Sequence, residues 1–191
     1  MFLQDKMEAR LRGWRSKSLS WAGRCTLIKS IAQALPTYSM STFELPNKVC
    51  DKLDAQTRRF WWNPRNQNGR YLARKAWDYL CQPKKNGGLG FKHTKDFNEA
   101  LIAKLTWMVV SNRDSLCMRC LRSKYKVRHN WLRSEETAKN AFQIWRAIEK
   151  ARGLIRRGTC YQVGDGKSID VCISLKVSIP ITRLINPRTF M

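Results

Sequence analysis

The stretch from Ser18 to Pro46, SLSWAGRCTLIKSIAQALPTYSMSTFELP, limits the possible folds of this chain more than any other part of the sequence. Its opening serines can accept hydrogen bonds from the free N–H groups of a first helical turn. Apolar residues then recur at helical spacing from Leu27 to Leu35 and predict one buried face. The helix should end before Pro36, because proline has no N–H to donate and crowds the preceding turn.

Helical periodicity runs through most of the remaining sequence. We predict further helices over residues 1–13, 46–62, 73–80 and 94–110, after Asp114, and around Trp145 up to Gly153. Tyr71-Leu72 is expected to be a brief strand, and residues 161–169 alternate around a Gly-Asp-Gly turn that is typical of a hairpin. The predicted fold class is mainly α: a helical bundle-like structure with a small C-terminal β-hairpin.

The charge of the chain indicates its partner. Its 191 residues include 37 Lys and Arg against 14 Asp and Glu, which gives a formal charge of +23 and a pI near 10.3. Such a domain repels itself unless a polyanion screens it, and binding to phosphates is driven by the release of counterions. The expected partner is therefore the backbone of RNA or DNA.

No membrane span, secretory segment or small-molecule substrate is expected. The richest apolar run, Leu101 to Val110, is short and is interrupted by Lys104. The seven cysteines are an odd number, and we interpret them as reduced thiols. These features predict an intracellular protein, with the nucleus as one candidate compartment.

One spacing resembles a metal site, Cys117-x-x-Cys120 with His129 nearby. A structural zinc needs four ligands, usually in two pairs, and the second pair is missing. Because helical periodicity places Cys120 toward the core, we interpret both cysteines as buried free thiols. Polymerase chemistry requires carboxylates that converge on two metal ions, whereas the only adjacent acids are Glu135-Glu136. We therefore predict no catalytic residue, no metal and no cofactor.

Four sequence blocks occur in the order that is typical of one protein family. They are LSWAGRCTLIKSIAQALPTYSMSTFELP at 19–46, RRFWWN at 58–63, NGGLGFKHTKDFNEALIAKLTW at 86–107 and YQVGDGKSI at 161–169. With them the chain resembles the region just after the polymerase domain in plant LINE-type non-LTR retroelement reverse transcriptases. In that family a zinc-binding region and an RNase H-like part follow. Residues 170–191 carry no matching motif here, and we expect them to be poorly ordered.

The resemblance implies a non-catalytic fragment of a larger polyprotein whose parent activity is RNA-directed DNA synthesis. We divide the chain into a basic helical thumb-like segment (1–62), a Gly/Asn/Pro-rich connector (63–90), a helical linker domain (91–160), and a hairpin with a truncated tail that we expect to be disordered (161–191). Two alternatives remain open. One is an inactive retroelement relic, and the other is a structural module that docks on the polymerase domain of another chain.

Electrostatic clamping of the phosphate backbone of a template–primer is the predicted mechanism. The predicted contacts form an N-terminal group and a second patch, namely Arg10, Arg12, Arg15, Lys17, Arg24 and Lys29, with Lys124, Lys126 and Arg128. No side chain that would read base identity is evident, so binding should depend on salt and select sequence weakly. Trp14 and Trp21 can stack on bases beside these cations, but we interpret them as packing against the next helix.

Overall fold

The computed structural model describes residues 2–15, 18–64, 69–111, 113–127, 131–132, 134, 138 and 140–158. Two units divide at Arg156, and the contacts described below belong to the first. The α-helices of the described part are α1 Phe2–Arg15, α2 Trp21–Leu27, α3 Thr37–Met40, α4 Asn47–Trp62, α5 Trp77–Cys81, α6 Thr94–Val110, α7 Leu116–Lys124 and α8 Gln143–Gly158. The mainly α fold class is confirmed. The predicted hairpin at 161–169 and the tail at 170–191 lie outside the described residues.

Two helices run past glycines at which the sequence pattern predicts their ends. Helix α1 continues through Gly13 to Arg15 and α8 continues through Gly153 to Gly158, so both predicted ends are wrong. One glycine inside a helix costs about 1 kcal/mol relative to alanine, and the buried faces of these helices outweigh that cost.

The predicted strand at residues 71–72 is also wrong, because this segment is irregular. Across the described ranges, no helix combines the length and apolar character that crossing a membrane requires.

The start of α2 agrees with the serine pattern of the sequence. Ser20 is extended, and its Oγ accepts a hydrogen bond from the Gly23 N–H at 3.2 Å. A π-helical turn extends α2, and in it the N–H of Gln33 donates to the carbonyl of Ile28 at 2.9 Å. The helical path ends before Pro36, as predicted.

The larger hydrophobic core joins α1, α2, α4 and the segment around α5. Its buried side chains are Met7, Leu11, Ile28, Ala32, Leu53, Phe60, Trp61, Trp77, Leu80 and Phe91. The ring centroid of Phe91 lies 5.4 Å from that of Trp61 and 5.6 Å from that of Trp77. This core draws residues from 1–62 and 63–90 and includes Phe91 of 91–160, and the division of the chain at those boundaries stays a prediction.

A second core joins the end of α6 to α7 and α8. Its buried side chains are Val109, Met118, Trp131, Ala141, Trp145 and Ile148. Tyr125 stacks on Trp145 with ring centroids 4.2 Å apart. Arg122 donates to the carbonyls of Met108 and Val109 at 2.9 and 3.1 Å, which satisfies the C-terminal end of α6.

Polar side chains attach α6 to the first core. Asp54 of α4 accepts hydrogen bonds from the N–H and the hydroxyl of Thr94 at 3.2 and 2.6 Å, and therefore caps the first turn of α6. The buried Asn98 accepts from the Leu45 N–H at 2.8 Å and donates to the Phe43 carbonyl at 2.9 Å. The cap of α6 therefore comes from a distant helix rather than from the first residues of α6 itself.

Candidate nucleic-acid interface

Exposed basic side chains occur on the longer described helices, α1, α4, α6, α7 and α8, and in the loops between helices. They are Lys6, Arg10, Arg12, Lys48, Lys52, Arg70, Arg74, Lys75, Lys84, Lys85, Lys92, Lys95, Lys104, Arg113, Arg119, Lys124, Lys126, Arg146, Lys150, Arg156 and Arg157. Two ion pairs form among them: Arg119 lies 3.3 Å from Asp114, and Lys150 contacts Glu44. The remaining cations leave a basic surface that faces solvent.

Arg10 and Arg12 are both exposed on α1, but they do not share a face. Residues two apart on an α-helix lie roughly 200° apart around its axis. The two arginines therefore flank the buried stripe of Met7 and Leu11 from opposite sides. Lys6 lies one turn before Arg10 and shares its side, so these two charges are the local pair on this helix.

Arg15 faces the fold rather than the solvent. Its guanidinium is buried and lies 3.3 Å from the carboxylate of Glu8, which is about two turns earlier on the same helix. To reach a phosphate, Arg15 would have to leave this pair. Arg15 is therefore less available for a phosphate contact than the sequence predicts.

Arg24 is half-buried and connects α2 to the end of α4. Its Nη1 donates to the Trp61 carbonyl at 2.9 Å, and its Nε donates to the Leu19 carbonyl at 3.3 Å. Carbonyls at the C-terminal end of a helix carry partial negative charge, so a cation is favourable there. Burial lowers the pKa of this guanidinium from its ordinary value. Like Arg15, Arg24 is partly occupied by contacts within the fold.

Trp21, the first residue of α2, lies against Arg24 and against the aromatic side chains that end α4. The Arg24 Cζ is 3.9 Å from the Trp21 ring centroid. The ring meets Trp61 at 4.9 Å and Trp62 at 6.1 Å between centroids, at steep interplanar angles of 60° and 72°. About half of Trp21 nevertheless stays exposed, so its predicted packing is only partial, whereas Trp14 is half-buried against the larger core.

Lys29 lies in the π-helical turn, beside the glycine-rich segment that follows α5. Its Nζ is 6.0 Å from the Phe91 ring centroid and 3.7 Å from the position that a Cβ on Gly90 would take. Gln33, in the turn that follows, donates to the Lys92 carbonyl at 3.0 Å. These contacts bring the half-buried Lys29 close to the segment that carries the exposed Lys92. The sequence pattern did not predict this juxtaposition, because the two segments are far apart in the chain.

The glycine-rich segment between α5 and α6 is closed by backbone hydrogen bonds. Two N–H groups that follow the glycines donate to the Leu80 carbonyl at 3.0 and 3.3 Å, and the Gly90 N–H donates to Gln82 at 2.8 Å. Gly90 has a φ of 68°, a positive value that glycine adopts without steric cost. Gly88 has no room for a side chain, because a Cβ would lie 2.1 Å from the Gln82 carbonyl oxygen. The loop is therefore well defined, and it presents the exposed lysines of its 3-10 turn.

The second predicted patch lies at the C-terminal end of α7. Lys124 is exposed, and its Nζ lies 3.7 Å from the ring centroid of Phe142, a side chain that is itself largely exposed. Lys126 is exposed with a φ of 48°, in the left-handed conformation that more often ends a helix at a glycine. The other two predicted contacts, Lys17 and Arg128, lie outside the described residues.

Cys117 and Cys120 lie on the solvent side of α7, so the prediction that they are buried is wrong. Met118 fills the core position of this turn instead, with 1% of its surface exposed. Ser115 caps the helix by accepting from the Met118 N–H at 3.3 Å, which fixes the phase of the first turn. His129 lies outside the described residues. Among the residues that are described, no group of three or more His, Cys, Asp or Glu is suited to hold a metal ion.

His93 lies between two carboxylates at the junction of α4, α5 and α6. Its Nδ1 is 3.7 Å from Asp54 and its Nε2 is 3.3 Å from Asp78. Burial raises the pKa of the Asp54 carboxyl, and the hydrogen bonds from Thr94 offset part of that effect. Burial, together with the neighbouring carboxylates, also raises the pKa of the Cys81 thiol to about 12. Cys81 is therefore a protonated thiol at neutral pH. The cluster of His93, Asp54, Asp78 and Cys81 lies where α4, α5 and α6 meet.

Comparison with known proteins places the chain among plant proteins. The putative ribonuclease H protein At1g65750 of Arabidopsis thaliana is 35% identical over 170 residues, which cover 86% of this chain and 27% of that protein. This chain thus spans about a quarter of the length of that relative. No family model and no solved structure matches this chain.

A second relative is covered over most of its length. The uncharacterized mitochondrial protein AtMg00310 of Arabidopsis thaliana is 36% identical over 134 residues, which cover 70% of this chain and 86% of the relative. Relatives of these two kinds are typical of plant retroelement-derived proteins. The chain therefore belongs to the family of retroelement-related plant proteins that includes AtMg00310.

Proposed function

We propose that this chain is the part of a plant LINE-type reverse transcriptase that follows the polymerase domain, and that it holds nucleic acid without catalysing synthesis. The ordered sequence blocks at 19–46, 58–63 and 86–107 support the placement. The match to about a quarter of a longer ribonuclease H-named protein is consistent with a fragment of a larger polyprotein. The parent activity would be RNA-directed DNA synthesis.

The observation that carries the proposal is the basic surface on a helical scaffold. The chain has 37 Lys and Arg against 14 Asp and Glu, and most of the basic side chains in the described part are exposed. Each cation that neutralises a phosphate releases condensed counterions, and this release provides a sequence-independent driving force. The ligand that fits is the phosphate backbone of a template–primer.

The contacts that the geometry favours differ in part from those that the sequence predicts. Lys6 and Arg10 form a pair of charges one turn apart on α1. Lys124 and Lys126 form a second group at the end of α7, beside an exposed aromatic ring. Arg12, which is exposed, and Lys29, which is half-buried, remain candidates, whereas the guanidinium groups of Arg15 and Arg24 already contact the fold.

A comparison of two charge-neutralising double variants tests the proposal. Lys6→Gln with Arg10→Gln removes the pair on α1 that contains the predicted contact Arg10, and Lys48→Gln with Lys52→Gln removes an equally spaced exposed pair on α4, outside the predicted contacts. Affinity for a labelled primer–template duplex is measured across a salt series. The slope of log affinity against log salt should fall by about 2 in the first variant, at about 0.9 per phosphate contact, and stay unchanged in the second.

Two results would contradict the proposal in different ways. Equal losses in both double variants would mean that binding follows total charge and has no preferred contact surface. A folded wild-type chain that ignores the duplex even at low salt would exclude phosphate clamping, and would favour either a retroelement relic or a module that docks on a polymerase domain.

A further inference from the structure

The exposed side of Trp21 offers a surface that the proposed electrostatic contacts do not use. Trp21 and Trp107 have nearly equal exposure, 49% and 47%, but only Trp21 has a described cation packed on its ring. A large apolar ring that is left half in water gives up much of the free energy that its burial would provide. The exposed part of this ring is therefore a candidate surface for a ligand.

The ring of Trp21 is held in a fixed orientation by its neighbours. The Arg24 guanidinium lies against one face at 3.9 Å, and that guanidinium is itself fixed by hydrogen bonds to the Trp61 and Leu19 carbonyls. Trp61, which is 7% exposed, and the half-buried Trp62 meet the ring at steep angles rather than lying parallel to it. The side chain is thus pre-organised, with one face covered and about half its surface in water.

We propose that the exposed part of the Trp21 ring is a stacking platform for an unpaired nucleobase. Base–aromatic stacking contributes about 1–3 kcal/mol per base, and it tolerates any base because every base has a π-face. Bases within a duplex already stack on one another, so the ligand is a single-stranded segment of DNA or RNA. This inference rests on the proposed function, because phosphate contacts would bring the strand to the platform.

The neighbourhood of the platform supports this ligand class. Arg24 adds positive charge beside the ring, and the combination of aromatic face and cation is typical of proteins that bind single strands. Among the described residues that contact Trp21, no arrangement of donors would read the edge of a particular base, so the platform should accept bases with little sequence preference. It therefore distinguishes single-stranded from double-stranded nucleic acid.

The test separates stacking from charge. Three ligands are compared by fluorescence anisotropy: an oligothymidylate of about 12 nucleotides, an abasic oligomer with the same backbone charge, and a duplex. Trp21→Leu keeps an apolar contact with Trp61 while it removes the aromatic face, and Trp107→Leu is the matched control on α6. Trp21→Leu should weaken oligothymidylate binding about tenfold and leave the affinity for the abasic oligomer unchanged, and Trp107→Leu should change neither.

A second variant tests whether the loss of affinity comes from a general loss of structure. Trp21→Tyr retains an aromatic face and should keep most of the oligothymidylate affinity, with thermal melts recorded for every variant. Equal affinity of wild type and Trp21→Leu for oligothymidylate, or an equal loss on the abasic oligomer, would overturn the stacking inference. If the wild type fails to bind the abasic oligomer and the duplex at low salt, the proposed phosphate clamp fails instead, so the two failures are distinguishable.

Discussion

Basic residues in this molecule fall into two groups according to what their charged atoms contact. Arg15 pairs with Glu8, while Arg24 and Arg122 donate to backbone carbonyls near helix ends. These guanidinium groups stabilise the fold by satisfying carbonyls and carboxylates that would otherwise lack partners. Side chains such as Arg10 keep their charge in water, where condensed counterions of a nucleic acid can be displaced. The formal charge of +23 therefore overstates the charge that is available to phosphate.

The exposure of individual cysteines leads to a prediction about reactivity. Cys117 and Cys120 are exposed on α7, whereas Cys50 is 2% exposed and burial raises the pKa of its thiol. Thiolate formation and access both limit alkylation, so Cys117 and Cys120 should react with a maleimide well before Cys50 in the native chain. Peptide mapping by mass spectrometry over a time course measures the order.

The unfolded chain provides the control for this labelling. In denaturant the three thiols should react at similar rates, because the structural differences in access are gone. Native labelling of Cys50 as fast as that of Cys117 would contradict the placement of these residues.

Among the elements, the loop between α5 and α6 depends most directly on one glycine. A Cβ at Gly88 would lie 2.1 Å from the Gln82 carbonyl oxygen, and that contact is with backbone rather than with a flexible side chain. Gly88→Ala should therefore lower the free energy of unfolding by about 3 kcal/mol, measured by denaturant titration.

Gly153 in α8 is the matched control for that substitution. Among the described residues, no atom outside its own helix lies within 4 Å of the position that its Cβ would take. Gly153→Ala should therefore raise the free energy of unfolding by about 0.5–1 kcal/mol. Similar effects of the two substitutions would show that the loop does not close against Gln82 as described.

The cap that Asp54 provides to α6 makes stability depend on pH in a definite direction. Because burial raises the pKa of Asp54 above its usual 3.8, the folded chain binds the Asp54 proton more tightly than the unfolded chain does. The stabilising contribution is therefore full below the usual value and is lost as pH rises through the raised one. The stability of the wild type relative to Asp54→Asn should increase from neutral pH to about pH 3.

Comparing the two proteins removes the effects that they share. Repulsion among the many cations grows in acid for both proteins, so the difference between their free energies of unfolding isolates Asp54. If the stability of the wild type relative to Asp54→Asn decreases on acidification, the hydrogen bonds from Thr94 outweigh desolvation and the pKa of Asp54 is lowered instead.

For the molecule as a whole, periodicity predicted the helices well and their contacts poorly. The helix ending before Pro36 and the helix 94–110 depend on local spacing, and both are observed. The wrong helix ends at Gly13 and Gly153 have one cause: packing against distant helices outweighs the propensity of a single glycine.

The candidate site was predictable in its charge but not in its geometry. Net charge is additive along a sequence, so the expectation of a polyanionic partner follows from composition alone. The burial of Arg15 against Glu8, the pairing of Trp21 with Arg24 and the exposure of Cys120 depend on helix phase and tertiary contacts. A shift of one or two residues in the predicted phase is enough to turn a side chain from solvent to core.

The most direct test of phosphate clamping is the affinity of the purified wild-type chain for a primer–template duplex across a salt series, with circular dichroism recorded on the same sample. A helical spectrum, together with affinity that falls steeply and linearly in log salt, is the predicted result. A helical spectrum without binding at low salt would contradict the central claim that this basic helical unit holds nucleic acid.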